Sequence, residues 1–405
     1  MRHVRAQFPA IEQAGRFVFF DNAAGAQVPA TVVRAVTDHL LKRNVQRGGP
    51  YRHSREVDQM IARTRASVAA FVNADGPDEI AFGLNATSFI RAISLAIGQA
   101  LGSRREIVVS ELDHEANVAT WRALERVGAR IVLWPVRSDG RLEPADLDGL
   151  LSERTRLVAC TVASNATGGI VDVAEVARRA HAVGAEVFLD AVHYAPHGPI
   201  DVRALGCDYL VCSGYKIFAP HMGFAWCRRA SINALPTFRE DFIPDVTPDK
   251  LEAGTYAYEN VAGMDAAIEY LESLGKDDAA DSGQARTRTL RRAMSRIAEY
   301  ERTLSSALLD AIEAVPGARV HGVSDRARLA ERVPTVCFTV DGVESSAIAT
   351  ALAEREIGVR FGHMYTPRLM SRLGLLPGGV VRASLAHYNT VDEIGRFAEA
   401  LAAVV

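Results

Sequence analysis

Three things are scarce in this chain of 405 residues: cysteine, a surplus of charge of either sign, and long apolar runs. No stretch approaches the roughly 20 apolar residues that a membrane span requires. The start, Met1-Arg2-His3-Val4-Arg5, has no apolar run behind it to serve as a leader. Lys plus Arg number 46 against 49 Asp plus Glu, a net charge of -3, which leaves no basic excess for nucleic acid and no polybasic run for a lipid surface. The five cysteines (Cys160, Cys207, Cys212, Cys227, Cys337) are an odd number with no C-x-x-C pair, and four sit inside apolar runs. They suit core thiols in a reducing compartment, neither a disulfide framework nor a metal site. Internal repeats and low-complexity tracts are absent as well. These absences together lead us to expect a cytoplasmic protein without nucleic-acid, membrane or metal partners.

What is present is an ordinary globular composition, 48% hydrophobic and 23% charged, in a chain long enough for two domains. Short β-like runs at Glu79–Phe82, Glu106–Ser110, Arg130–Pro135, Leu157–Val162, Glu186–Asp190, Tyr209–Cys212 and Gly223–Cys227 alternate with helical patterns such as Glu115–Val127 and Val173–Val183. Alternation of this kind predicts an α/β fold, a mainly parallel seven-stranded sheet covered by helices on both faces. The C-terminal third changes character, with a solvated linker at Gly275–Gln284, a long helix over Arg288–Val315, strands at Pro334–Val340, Ile357–Phe361 and Val380–Leu385, and a last helix from Val391. We expect a large domain over 16–260 and a smaller α+β domain over 261–405, joined by the N-terminal segment 1–15.

The densest chemistry lies in Ser213-Gly214-Tyr215-Lys216, between the apolar runs ending at Cys212 and starting at Gly223. A single lysine at a strand end is ordinarily a solvated charge. A partner upstream changes that reading, because Glu186–Asp190 is another apolar run that ends in an acid, where an open parallel sheet places its ligand groups. An amine able to form a Schiff base and a carboxylate able to keep a pyridine nitrogen protonated are the pair that pyridoxal phosphate (PLP) requires.

Other polar clusters fall at strand ends. Gly83-Leu84-Asn85-Ala86-Thr87-Ser88 opens a helix, where backbone N–H groups either bind a phosphate or are satisfied by an ordinary cap. His114 can stack on a ring or serve structure alone, and Asn165 can bind a ligand or cap the next helix. The small residues of Asn22–Pro29 suit either a ligand's close approach or a tight turn, and Asn44–His53 reads as a surface loop.

Taken together these residues resemble the class V branch of the fold-type-I PLP enzymes, and within it the cysteine desulfurase and selenocysteine lyase group. The likeness runs from Asp21-Asn22-Ala23-Ala24 through Asp113-His114-Glu115-Ala116-Asn117, Ser164-Asn165, Asp190-Ala191-Val192-His193, Ser213-Gly214-Tyr215-Lys216 and Glu252-Ala253-Gly254-Thr255 to Arg382-Ala383-Ser384-Leu385. It implies that Lys216 carries the cofactor as an imine and acts in catalysis with His114, which stacks on the ring. Asp190 would pair with the pyridinium, and His193 would touch the ring hydroxyl where the family usually has glutamine. Ala86, Thr87, Ser213 and Tyr215 would hold the phosphate, Tyr215 replacing a usual histidine. Thr255 would reach the phosphate of the neighbouring subunit, which implies a homodimer. Arg382 with Asn165 would bind the carboxylate of a small amino-acid substrate, with Arg360 and Tyr365 beside it.

One departure bears on the reaction. Desulfurases carry a loop of the form R-x-G-H-H-C whose cysteine accepts sulfur; the matching stretch here reads Arg360-Phe361-Gly362-His363-Met364-Tyr365. A phenol cannot hold a persulfide. The resemblance to a subgroup without this cysteine implies no single activity; elimination needs no enzyme thiol, so a C–S β-elimination lyase is the first reading. An aminotransferase or epimerase is the alternative, followed by a true desulfurase using another thiol, for which Cys212 is the nearby candidate, and by a non-catalytic PLP-binding protein.

Overall fold

Runs that are apolar without alternation must be covered on both sides, and they fold accordingly. The computed structural model describes residues 2–276 and 285–405. Its strands in chain order are β1 (Val18–Phe19), β2 (Ile80–Gly83), β3 (Glu106–Ser110), β4 (Arg130–Trp134), β5 (Thr155–Thr161), β6 (Glu186–Asp190), β7 (Tyr209–Ser213), β8 (Gly223–Cys227), β9 (Ala318–His321), β10 (Thr335–Val340), β11 (Ile357–Gly358), β12 (Arg360–Gly362) and β13 (Val380–Ser384). Seven of them form one sheet in the order β2-β8-β7-β6-β5-β3-β4. β3 to β7 pair in parallel, while β8 runs antiparallel to both of its neighbours.

Side chains alternate across a sheet with period two, so each apolar run feeds two cores. Val187 and Leu189 of β6 pack with Phe82, Val108 and Leu210 under the helices Arg52–Val72, Val173–Ala182 and Tyr258–Ser273. Phe188, between them, lies on the opposite face with Ile107, Leu157 and Tyr209, under Ala86–Gln99 and Ala116–Arg122. Each such buried Leu or Phe contributes roughly 1.5–3 kcal/mol. The sheet is therefore rigid on both sides, which is what a site at its strand ends needs.

A third core belongs to an antiparallel sheet, β12-β13-β10-β9, backed by the helices Arg286–Glu313, Ser345–Ala353 and Val391–Ala402. Val18 and Phe20, from the start of the chain, pack in this core, and β1 pairs in parallel with β11. Asp21 continues the contact through a parallel bridge to Ser384 on β13. Among the described residues no helix is long and apolar enough to cross a membrane.

Some expectations are redrawn. The run Ile357–Phe361 is two strands, because the chain changes partner after Gly358: β11 pairs with β1, and β12 with β13. A side chain at Gly358 would place its Cβ 2.8 Å from the Phe17 ring, which would have to move aside. The helix expected over Glu115–Val127 is α-helical over Ala116–Arg122, tightens to a 3-10 turn over Ala123–Val127, and ends at Gly128 with φ +91°. β9 was not read from the sequence; as an edge strand with Arg319 and His321 it has little apolar signal. Of the linker read at Gly275–Gln284, residues 277–284 lie outside the described residues.

The close approach of β8 to the helix after β2 sets up the site. A Cβ on Gly223 would stand 2.6 Å from the carbonyl carbon of Asn85 and 3.0 Å from the Ala86 nitrogen. Gly223→Ala is thus expected to lose about 1–3 kcal/mol of stability by overpacking, read as a lower urea midpoint at unchanged slope. An unchanged midpoint would show that the helix start shifts freely.

Candidate active site

The carboxyl ends of β5, β6 and β7 lie side by side, and each ends in a polar residue: Thr161, Asp190 and Ser213. After Ser213 the chain tightens into one 3-10 turn, Gly214–Lys216. Only glycine fits at its start, since a Cβ on Gly214 would come within 2.6 Å of the Pro220 carbonyl oxygen. Lys216 so becomes part of the wall of a cavity of about 330 Å³ over the strand ends.

Twelve of the thirteen residues expected at the site line that cavity: Lys216, Asp190, His193, His114, Ala86, Thr87, Ser213, Tyr215, Asn165, Arg382, Arg360 and Tyr365. They come from both sheets. Ala86 begins the helix after β2, whose cap is Asn85 in a capping box with Ser88, and the Ala86 N–H donates to Ser213 Oγ at 3.2 Å. The start of this helix and a hydroxyl therefore meet at one end of the cavity. At the other end stand Arg382 of β13 and Arg360 of β12, directly opposite each other in the ladder. Thr255 does not line the cavity; it is exposed and accepts a hydrogen bond from Gln46 Nε2 at 2.7 Å.

Burial governs the charges. It drives the Lys216 amine down to about 7; Arg382 adds to the shift, while Asp21 and Asp190 oppose it. The amine donates to the Ala23 carbonyl oxygen and stands 4.8 Å from the centre of the Tyr215 ring, which in turn stacks on His221 at 5.0 Å and 10°. Burial raises the Asp190 carboxyl to about 6, against the Val192 N–H that donates to Oδ1 at 2.9 Å and against the Lys216 charge. His114 is pushed down to about 4 by burial and by Lys216 and Arg382, and is neutral at pH 7. Its ring lies 5.5 Å from that of Tyr365 at 33°. His193 is also held neutral, chiefly by burial, and its Nε2 lies 3.0 Å from Thr335 Oγ1 on β10.

Sequence reasoning missed three participants. Asp21 was read as part of a motif without a role, yet it forms ion pairs with both Arg360 and Arg382. The Ala23 carbonyl, which accepts from Lys216, is a backbone group and leaves no trace in residue type. Asp113, whose carboxyl burial raises to about 8, accepts from Ser110 Oγ and, at 2.7 Å, from Asn117 Nδ2. The Ser110–Asp113–Asn117 spacing was the available signal.

A family model described as aminotransferase class-V matches residues 18–297 and 287–397 of this chain. An aminotransferase-like protein of Gibberella zeae is 35% identical over 416 residues, which span 100% of this chain and 98% of that protein. A probable cysteine desulfurase of Mycobacterium leprae is 32% identical, over 97% of this chain and 94% of the relative. Among solved structures, a cysteine desulfurase of Thermococcus onnurineus superposes with a TM-score of 0.89 at 25% identity, covering 100% and 98% of the two chains. One from Escherichia coli does so at 0.85 and 27%, with the same coverage.

The buried amine provides a direct check. In protein stripped of bound aldehydes, acylation of Lys216, followed by mass spectrometry, should rise with pH through a midpoint near 7 and not near the ordinary 10.5. The neutral amine is the reactive form, so the rate climbs as pH passes the pKa. Asp190→Asn removes a carboxylate that raises this value, and its midpoint should fall lower still. A midpoint that stays put or rises contradicts the assignment.

Proposed function

As a member of the aminotransferase class V family, the chain is a PLP-dependent enzyme of the cysteine desulfurase-like type, and we propose that it is a C–S lyase. It would act by β-elimination on a small L-amino acid that carries sulfur at Cβ. The residues present fit the cofactor. One amine, one buried carboxylate, and a hydroxyl beside a helix start line a single cavity. Lys216 would hold PLP covalently, Asp190 would face the pyridine nitrogen, and Ala86, Thr87, Ser213 and Tyr215 would receive the phosphate. A pyridinium beside Asp190 would favour its ionised form over the neutral one that burial favours. When bound, PLP supplies the electron sink that makes the α-proton of an amino acid acidic.

The chain's own groups then divide the work. Arg382, whose Nε is buried without a partner, and Asn165 beside it take the substrate's carboxylate. Lys216, free to be neutral near pH 7, removes the α-proton. The Cβ–S bond breaks, sulfur departs with a proton as a thiol, and the three-carbon remainder hydrolyses to pyruvate and ammonia.

The observation that carries this reading is the absence of a thiol from the cavity wall. Tyr365 occupies the loop position and lines the cavity, and none of the five cysteines does. Cys160, Cys212, Cys227 and Cys337 lie within strands and Cys207 just before β7, all buried, and burial pushes their thiols up, away from the reactive thiolate. The exposed Thr255 supports a homodimer in which this residue reaches the neighbouring site.

Purified, PLP-loaded protein should convert S-methyl-L-cysteine to pyruvate, ammonia and methanethiol, with Lys216→Ala inactive. Alanine plus enzyme-bound persulfide from L-cysteine would overturn the reading, and amino-group exchange alone with L-alanine and an oxo acid would replace it with transamination. Light scattering should give twice the chain mass, 43.8 kDa per copy. Thr255→Ala should lose PLP on dialysis at least about threefold faster, the loss of one hydrogen bond of roughly 1 kcal/mol; equal loss rates would remove Thr255 from the phosphate site.

A further inference from the structure

Asp21 sits where the N-terminal lead-in meets both sheets, its backbone bridged to Ser384 of β13. Its carboxylate is shared between two guanidiniums. Oδ2 accepts from Nε and Nη2 of Arg360 at 2.9 and 2.7 Å, and Oδ1 accepts from Nη2 of Arg382 at 2.9 Å. Two cations and one anion leave this end of the cavity a single positive charge. The other basic side chains beside the loop are paired too, Arg368 with Glu115 at 3.0 Å and Arg372 with Glu111 at 2.7 Å. Among the described residues at this end of the cavity, a second acidic group on a substrate would therefore find no arginine without a carboxylate partner, and recruiting Arg360 would compete with a two-pronged pair.

We propose that Asp21 positions the two arginines and determines specificity: by bridging Arg360 and Arg382 it leaves one cation for one carboxylate, so the enzyme takes amino acids with uncharged side chains and rejects those with a second acidic group. The proposal rests on the reading above that Arg382 receives the substrate's carboxylate. Asp21 itself need not touch the substrate; it acts through the guanidiniums it holds.

The test compares wild type, Asp21→Asn, Asp21→Glu and Arg360→Gln, all PLP-loaded, on S-methyl-L-cysteine and S-carboxymethyl-L-cysteine. Asp21→Asn should cut the preference for the neutral substrate by about tenfold or more, through a lower KM for the anionic one, since an unopposed charge within ~4–6 Å changes charge binding by one to three powers of ten. Asp21→Glu should restore the preference. Arg360→Gln leaves Asp21 facing Arg382 alone and should raise KM for both substrates about tenfold with little change in kcat. A parallel calorimetric titration of the cofactor-free proteins with succinate and acetate should show Asp21→Asn gaining succinate affinity relative to acetate by a similar factor. A preference and a succinate-to-acetate ratio both unchanged within about twofold overturn the proposal. Should Asp21→Asn fail to fold, an unchanged KM in Arg360→Gln overturns it equally. Should no protein release pyruvate, elimination falls and the calorimetric ratio still decides the role of Asp21.

Discussion

The site depends on keeping one amine out of water. Lys216 follows a strand that is buried on both faces, and its surroundings favour the neutral form so strongly that its proton is lost near pH 7. A lysine in solvent would be protonated at that pH, unable to attack a carbonyl or to take a proton. The same burial acts on the neighbours: it raises Asp190 and Asp113, and it holds His114 and His193 neutral. At pH 7 the cavity then holds the Asp190 carboxylate, a partly protonated Lys216, and the two arginines with the carboxylate between them.

Those groups come from two different sheets, although Cys337 of β10 and Val380 of β13 reach into the core that holds Val187 and Leu189. Lys216, Asp190 and Ser213 stand at the ends of strands of the seven-stranded sheet, while Arg360 and Arg382 belong to the antiparallel sheet. Asp21 joins them: the chain enters through the third core with Val18 and Phe20, bridges to β13, and then passes Ala23 in front of Lys216. Amine, carboxylate clamp and counter-ion are thus assembled only when both sheets are in place. Mounting each on a rigid element holds the geometry better than loops alone could.

Much of this was legible in residue order. The apolar runs were read as strands because a run with no polar alternation has no face to give to water, and Val187, Phe188 and Leu189 confirm that by packing into two different cores. Lys216 and Asp190 stood out because each ends such a run, where a parallel sheet gathers its ligands. Where the reading failed, the controlling contact was distant in the chain. Ile357–Phe361, broken only by Arg360, reads as one short strand, and nothing local says that β11 pairs with residues 18–19 and β12 with β13. Asp21 carried no signal of its own because its partners lie 339 and 361 positions away.

By itself the sequence determined the secondary structure of the large sheet and the cofactor that such a lysine and acid can hold. Periodicity and residue chemistry are local properties, and those conclusions need nothing more. Tertiary structure alone decided the charge state of the amine, the pairing of both arginines with one aspartate, and the exclusion of every cysteine from the cavity. Burial and Coulomb interaction depend on what surrounds a group in space, and the order of residues states that only after the chain has folded.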